Sequence, residues 1–271
     1  MSRDIPQQKL YKILVVGDSC SDIYVFGNCD RLSPEAPVPV FQESRRRVLP
    51  GMSLNVAESL RNLGNEVDVI TNESMIKKTR FVDERSAQHI LRVDEEESVD
   101  QVTSDQIQKI NPELYDALVI SDYDKGFLNF LKALNICSSF IRKNIPVFVD
   151  SKKTDLRCYS GAVIKINQHE KSQVKNMPQG SELITTLGSH GAEYDGENFL
   201  PYETKVSDMH GHRDVCGAGD AFLASLTHRF LRNGNNLKEA IGFSNKCAAI
   251  VVGYFGTRPI TVKDLAEEGI E

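Results

Sequence analysis

The stretch Asp214-Val215-Cys216-Gly217-Ala218-Gly219-Asp220 leads straight into a helical pattern, Ala218 to Arg232, which stops at Gly234. Small residues at Gly217, Ala218 and Gly219 let the backbone come close to a ligand, and the free N–H groups of a helix start favour an anion such as a phosphate. Asp220 falls in the first turn of that helix. A carboxylate there can accept the proton of a hydroxyl that attacks a phosphoryl group, and the helix N-terminus is expected to keep it ionised. The same residues also read as a plain Gly-rich turn with an aspartate at a helix start. A P-loop is absent, and Gly217-x-Gly219 is followed by Phe222, so neither a P-loop enzyme nor a dinucleotide-binding Rossmann enzyme is indicated.

Other candidates stand at the ends of apolar runs. Asn167 and Glu170, three apart, could orient the water shell of Mg²⁺ or could form a capping box with Asn167 as N-cap. Thr186-Leu187-Gly188-Ser189-His190-Gly191 could touch a nucleotide or simply turn the chain. Asp18 and Asp22 follow the first strand, where α/β proteins bind ligands, and suit pairs of sugar hydroxyls as well as loop capping. Arg45, Arg46 and Arg47 read first as a solvated face and second as an anchor for a substrate phosphate. His210-Gly211-His212 is too short and isolated for a metal site, and Cys216 has no identifiable histidine to make it a nucleophile.

The elements that must position these residues alternate. Strands are expected over 12–16, 67–71, 117–121, 147–150, 162–166 and 183–186, mostly apolar throughout, as in a parallel sheet covered on both faces. Helices are expected over 53–63 (with Ser53 as N-cap), 127–143, 218–232 and 237–252. Asp195-Gly196 turns a hairpin over 192–199. This alternation predicts a layered α/β domain with a mostly parallel central sheet. Two stretches break the rhythm, about 23–48 and 79–94. Their short alternating runs predict a small β flap on one domain spanning 1–271.

Composition narrows the field. The 271 residues carry 32 Lys+Arg against 38 Asp+Glu, with 40% apolar and 26% charged residues, which excludes disordered, collagenous and coiled-coil chains. The net charge of −6 argues against nucleic acid and against an anionic membrane surface. Six cysteines without Cys-x-x-Cys spacing, and no apolar stretch approaching a membrane span, predict free thiols in a cytoplasmic protein.

Taken together these pieces resemble the ribokinase-like carbohydrate kinases, where Gly-Ala-Gly-Asp is the catalytic signature. Arg31-Leu32-Ser33-Pro34-Glu35-Ala36-Pro37-Val38-Pro39-Val40 is similar to the Arg-Ile-Ser-Pro-Glu-Ala-Pro-Val-Pro-Val of the D-glycero-β-D-manno-heptose 7-phosphate kinases. Ser121-Asp122-Tyr123-Asp124-Lys125-Gly126 is similar to their Ser-Asp-Tyr-Gly-Lys-Gly. The resemblance covers roughly residues 12–261 and implies a three-layer ribokinase-like fold with a β-strand lid. It implies Asp220 as base and the backbone of Gly217, Ala218 and Gly219 as the cradle of the transferring phosphoryl group. Asp18, Asp22, Gly51 and Asn55 would hold the sugar, with Lys125 near the substrate. Asn167 and Glu170 would position Mg²⁺ through water, and Thr186, Gly188, Gly191 and Asn245 would surround ATP. The implied reaction phosphorylates C1 of a heptose 7-phosphate to the 1,7-bisphosphate, for ADP-heptose and lipopolysaccharide-type glycan synthesis, by a homodimer paired through the flap. Alternatives are a ribokinase-like kinase for another sugar or sugar phosphate, and a kinase-derived binding module without turnover.

Three departures accompany the resemblance. Gly51-Met52 stands where the family has Gly-Gly, which removes freedom for positive φ. Val215 replaces a threonine. Between Thr71 and Thr79 only about eight residues stand where relatives insert a helix and a strand, too few for a parallel crossover, so one sheet edge is expected to be trimmed.

Overall fold

The computed structural model describes residues 9–74, 76–95, 99–206 and 214–270. His210 and His212 lie outside the described residues. The chain forms two sheets. The larger has eight strands: β1 (Lys12–Gly17), β4 (Glu66–Thr71), β7 (Ala117–Asp122), β8 (Val147–Ser151), β9 (Val163–Asn167), β10 (Glu182–Thr186), β11 (Ala192–Tyr194) and β12 (Glu197–Phe199). Their order is β12-β11-β10-β9-β8-β7-β1-β4, parallel from β4 to β10 and antiparallel through the β10–β12 hairpins.

Period-two alternation divides the side chains of the parallel strands between two cores. Leu14, Val16, Leu118, Ile120, Ile164 and Ile166 meet α3 (Phe130–Ile141) through Ile136 and Phe140. Ile13, Val15, Val119 and Phe148 meet the opposite layer. That layer is built from α1 (Ser53–Asn62), α5 (Ala218–Arg232) and α6 (Leu237–Val252). Short helices α2 (Ser104–Gln108), α4 (Gln168–Gln173) and α7 (Val262–Glu268) complete the three-layer arrangement.

The second sheet holds β2 (Ser19–Leu32), β3 (Pro39–Met52), β5 (Ile76–Asp83) and β6 (His89–Glu95) in the order β3-β2-β5-β6. Its register sets out two faces. Arg47, Tyr24, Arg80 and Arg92 form one transverse row, and Arg46, Val25, Phe81 and Leu91 form the next row on the other face.

The two sheets meet at a compact crossing. Asp18 alone separates β1 from β2, β3 runs into α1 without a loop, and β4 passes to β5 across residues 72–75. These three passages bond to one another: Ser53 N donates to Asp18 O at 3.0 Å, Ser19 N to Asn72 Oδ1 at 2.7 Å, and Thr71 Oγ1 to Gly17 O at 2.7 Å. β4 is consequently the edge strand of the large sheet.

Ser53 is not the N-cap of α1. That position belongs to Met52, at φ 58° and ψ −130°, and Ser53 is the first helical residue. The N–H of Ser53 is taken by Asp18 O, which leaves no need for a capping side chain there.

Candidate active site

The C-terminal ends of the parallel strands bring most of the sequence candidates to one cleft edge, the ligand-binding position of open α/β sheets. Asp220 enters from above on α5 and is 4% exposed. Asn55 Nδ2 donates to its Oδ2 at 2.9 Å, and the Tyr123 hydroxyl donates to its Oδ1 at 2.9 Å. Burial raises the Asp220 carboxyl to about 6, against these two hydrogen bonds that favour the charged form. The expected dominance of the helix N-terminus does not hold here, because desolvation of a fully enclosed carboxylate is the larger effect. Asp220 is still mostly ionised at pH 7.

The two glycines before Asp220 do different things. Gly217 is the N-cap of α5 at φ 80°, a left-handed conformation, and a side chain there would approach Asn55 Nδ2 to 3.1 Å. Gly219 faces inward. A Cβ on it would lie 3.0 Å from Lys165 Nζ, so its smallness makes room for that ammonium and not for a ligand. The N–H groups of the first turn lack intrahelical acceptors by helix geometry, apart from Ala218 N, which reaches Val215 O at 3.3 Å.

Asn55 is fully buried, and among the described residues its Oδ1 has no hydrogen-bond partner. A buried, unpaired acceptor beside a carboxylate base is costly unless a ligand donor completes it. Asp22, also buried, is fully engaged: Arg80 Nη1 donates to Oδ1 at 2.6 Å and Thr257 Oγ1 to Oδ2 at 3.0 Å. Gly51 packs against Asp22 and Cys20, and any Cβ on it would overlap them.

Asp18 sits apart from the cleft surface as a loop organiser. Its carboxylate accepts the backbone N–H groups of Tyr123 (2.8 Å), Lys125 (3.4 Å) and Phe127 (3.3 Å). It thereby fixes the loop that carries Tyr123. Burial, and then the neighbouring Asp122, raise its carboxyl to about 6.

Asn167 and Glu170 form a reciprocal capping box at the start of α4, with Glu170 N on Asn167 Oδ1 and Asn167 N on Glu170 Oε2, both at 2.8 Å. Glu170 also pairs with Lys152, which reaches Asp150 Oδ1 at 3.3 Å. Lys165 meets the other Asp150 oxygen at 2.6 Å. Burial pushes the Asp150 carboxyl up, but the two ammonium groups outweigh it and hold it below the usual range.

Thr186 lies beside Asn167 in the β10–β9 register. Gly188 (φ 59°) and Gly191 (φ 88°) bracket the following turn, and Gly191 is packed against Phe199 O. Asn245 lies on α6, where its amide donates to Phe199 O and Leu200 O, both at 3.1 Å, and ties the helix to the end of β12.

Sequence reasoning did not single out Tyr123, Lys152, Lys165 or Arg80. Lys165 had a visible signal, a lone lysine inside an otherwise apolar run. Arg80 had none, because its role depends on a cross-strand row. Arg80, His89 and Arg92 on the second sheet face Asp214, Val215, Cys216 and Phe255 across a cleft of about 360 Å³. Arg45 and Arg46 are paired with Glu84 and Glu43 in exposed positions, whereas Arg47 belongs to the Arg80–Arg92 row.

The profile of the pfkB family carbohydrate kinases matches residues 155–264. The bifunctional protein HldE of Nitratiruptor sp. is 32% identical over 94% of this chain and 64% of its own length. HldE of Campylobacter curvus is 31% identical over 96% of this chain and 65% of its own. The chain therefore spans less than two thirds of these relatives. The Nitratiruptor alignment runs over 307 positions, more than the 271 residues present here, so the relative carries segments this chain lacks. Among solved structures, Escherichia coli phosphofructokinase-2 in complex with potassium superposes with a TM-score of 0.73 at 16% identity, covering 96% of this chain and 98% of that one. Arabidopsis thaliana ribokinase complexed with ribose and ATP gives 0.66 at 15%, covering 97% and 100%.

The three-layer fold with a small second sheet is that of the ribokinase-like sugar kinases. Residues 155–264 resemble the pfkB carbohydrate kinases, and the chain along nearly its whole length resembles the HldE proteins.

Proposed function

We propose that the protein transfers the γ-phosphoryl group of ATP to the C1 hydroxyl of D-glycero-D-manno-heptose 7-phosphate. The observation that carries this reading is the Asp220–Asn55 pair, a buried carboxylate joined to an amide whose second atom awaits a donor. The acceptor hydroxyl takes the place of the Tyr123 hydroxyl on Asp220, since both carboxylate oxygens are otherwise occupied. Asp220 then removes the hydroxyl proton as the oxygen bonds to the γ-phosphorus. The bond to the β,γ-bridging oxygen breaks, and ADP leaves.

Asn55 Oδ1 accepts from a second sugar hydroxyl. The Arg47–Arg80–Arg92 row, with His89 beside it, supplies the donors that a phosphorylated acceptor needs, and this favours a sugar phosphate over a neutral sugar. Lys125 borders the same region through the loop that Asp18 organises. The first-turn N–H groups from Gly217 to Gly219 receive the phosphoryl oxygens.

Mg²⁺ fits the corner made by Asn167 and Glu170. No cluster of three or more His, Cys, Asp or Glu among the described residues could hold a metal directly, which suits an ion carried by nucleotide phosphates and water. Bound there, Mg²⁺ would neutralise charge on the phosphates. Glu170 would orient its waters while staying fixed by the capping box and Lys152. Thr186, Gly188, Gly191 and Asn245 are assigned to the ATP side of the cleft.

The molecule acts as a homodimer through the outer face of the second sheet, where Val48, Leu91 and Val93 are 58%, 55% and 39% exposed. A coupled ADP-release assay over a panel of sugars and sugar phosphates tests the central reading. Turnover is expected with heptose 7-phosphate above all others. ATP binding without turnover on any member of the panel would overturn it.

A further inference from the structure

Tyr123 stands just past the end of β7, and three parts of the molecule meet on its side chain. The ring packs with Cys20, Met52 and Ile76 at the crossing of the two sheets. Lys78 Nζ, from β5 of the second sheet, and Lys152 Nζ, just past β8 of the large sheet, lie 5.3 and 5.2 Å from the ring centroid. The phenol donates to Asp220 Oδ1 at 2.9 Å. Burial, and then the charge of Asp220, hold the phenol well above the usual tyrosine range, so it stays a donor at working pH.

The backbone under this side chain is pinned on both sides. Tyr123 N donates to Asp18 Oδ2 at 2.8 Å, and Asp124 N donates to Asp122 Oδ1 at 3.0 Å. The phenol therefore leaves Asp220 by rotation of its own side chain, with the loop held in place. What it covers matters for the chemistry. A carboxylate able to take the proton of a sugar hydroxyl can take that of water as well. Asn55 Oδ1, the buried acceptor beside Asp220, would attract such a water. A phenol in the place of the attacking oxygen discriminates between the two. Water gives back one or two hydrogen bonds for the charged hydrogen bond and ring contacts it must displace. A sugar brings several hydroxyl groups to the same cleft, and Asn55 Oδ1 receives one of them.

We propose that Tyr123 makes the site select a sugar hydroxyl over water as the phosphoryl acceptor, by occupying Asp220 until the sugar binds. The proposal rests on the kinase reading above, in which Asp220 is the base. In the step it suppresses, a water oxygen bonds to the γ-phosphorus and its proton passes to Asp220. The bond to the β,γ-bridging oxygen breaks, and ADP and inorganic phosphate leave.

The test reads ADP release from ATP and Mg²⁺ with no sugar present, in the wild type and in Tyr123→Phe, which keeps the ring and removes the hydroxyl. Loss of a charged hydrogen bond predicts about 10- to 100-fold faster sugar-free hydrolysis in the variant. The Tyr123→Phe, Asp220→Asn double variant should fall back to the wild-type rate or below. Hydrolysis no faster than in the wild type, or an increase that survives in the double variant, overturns the proposal. With the sugar phosphate that the wild type turns over best, Tyr123→Phe should lower KM for the sugar, because its competitor is gone. A raised KM would make Tyr123 a sugar contact and overturn the proposal too. If Tyr123→Phe does not fold, 3-fluorotyrosine placed at position 123 of the otherwise unchanged chain reports the same displacement. Its ¹⁹F resonance should move when that sugar phosphate is added with ADP and Mg²⁺, and not with ADP and Mg²⁺ alone; a resonance unmoved by the sugar overturns the assignment. Absence of turnover on every sugar, alongside Asp220-dependent hydrolysis in Tyr123→Phe, would count against the substrate and leave Tyr123 in place.

Discussion

At the scale of single residues, Asp220 is caught between burial, which raises its carboxyl to about 6, and two donors that oppose the rise. As the proposed base it must be deprotonated, so kcat/KM should be constant above pH 7 and fall tenfold per pH unit below about 6. A rate profile from pH 5 to 8 checks this. The same shift has a stability consequence of opposite convenience. A carboxyl raised above its unfolded value near 3.8 binds its proton more tightly in the fold, so stability falls as pH rises from about 4 to 6. The stability of Asp220→Asn relative to the wild type should therefore improve by about 2 kcal/mol between pH 4 and pH 7, read from denaturant melts, while kcat falls by orders of magnitude. On the proposed reading Arg92 belongs to the substrate side. Its guanidinium is held by Asp94 at 2.7 and 2.6 Å, so Arg92→Ala should raise KM for heptose 7-phosphate about tenfold or more and leave KM for ATP unchanged. Legibility differed sharply among these residues. Asp220 could be read because its chemistry is tied to neighbours in the chain. Lys165, Tyr123 and Arg80 act across strands, and one-dimensional spacing does not record which side chains a sheet register brings together.

Among the elements, the junction of β3 and α1 departs most from local preference. Met52 takes φ 58° and ψ −130°, a region that glycine reaches freely and other residues reach only under strain. Its side chain offsets part of that cost, being 3% exposed and packed with Cys20 and Ile76. Met52→Ala forfeits the packing and keeps the strain, whereas Met52→Gly forfeits the packing and releases it. Glycine should therefore be about 1 kcal/mol more stable than alanine at this position, the reverse of the usual order, as measured by chemical denaturation of the two variants. The strand and helix pattern itself was readable. The helices over 218–232 and 237–252 and the hairpin turned by Asp195-Gly196 follow directly from apolar periodicity and turn chemistry. The cap of α1 was not, because Ser53 is a favourable cap residue by type, and only the tertiary bond from Ser53 N to Asp18 O makes a side-chain cap unnecessary.

For the molecule as a whole, the exposed apolar side chains on the outer face of the second sheet argue for a covered surface. Leu91→Lys with Val48→Lys should convert a dimer to a monomer in light scattering without lowering the melting temperature by more than a few degrees. The three passages between the sheets, at Asp18, Met52 and Asn72, have a mechanical meaning. Because Ser19, Ser53, Thr71 and Gly17 bond across all three, the passages into the second sheet are tied to one another. The crossing adjoins α1, which bears Asn55, so on the proposed reading a tilt of the second sheet over a sugar phosphate would reach Asp220 through a single helix.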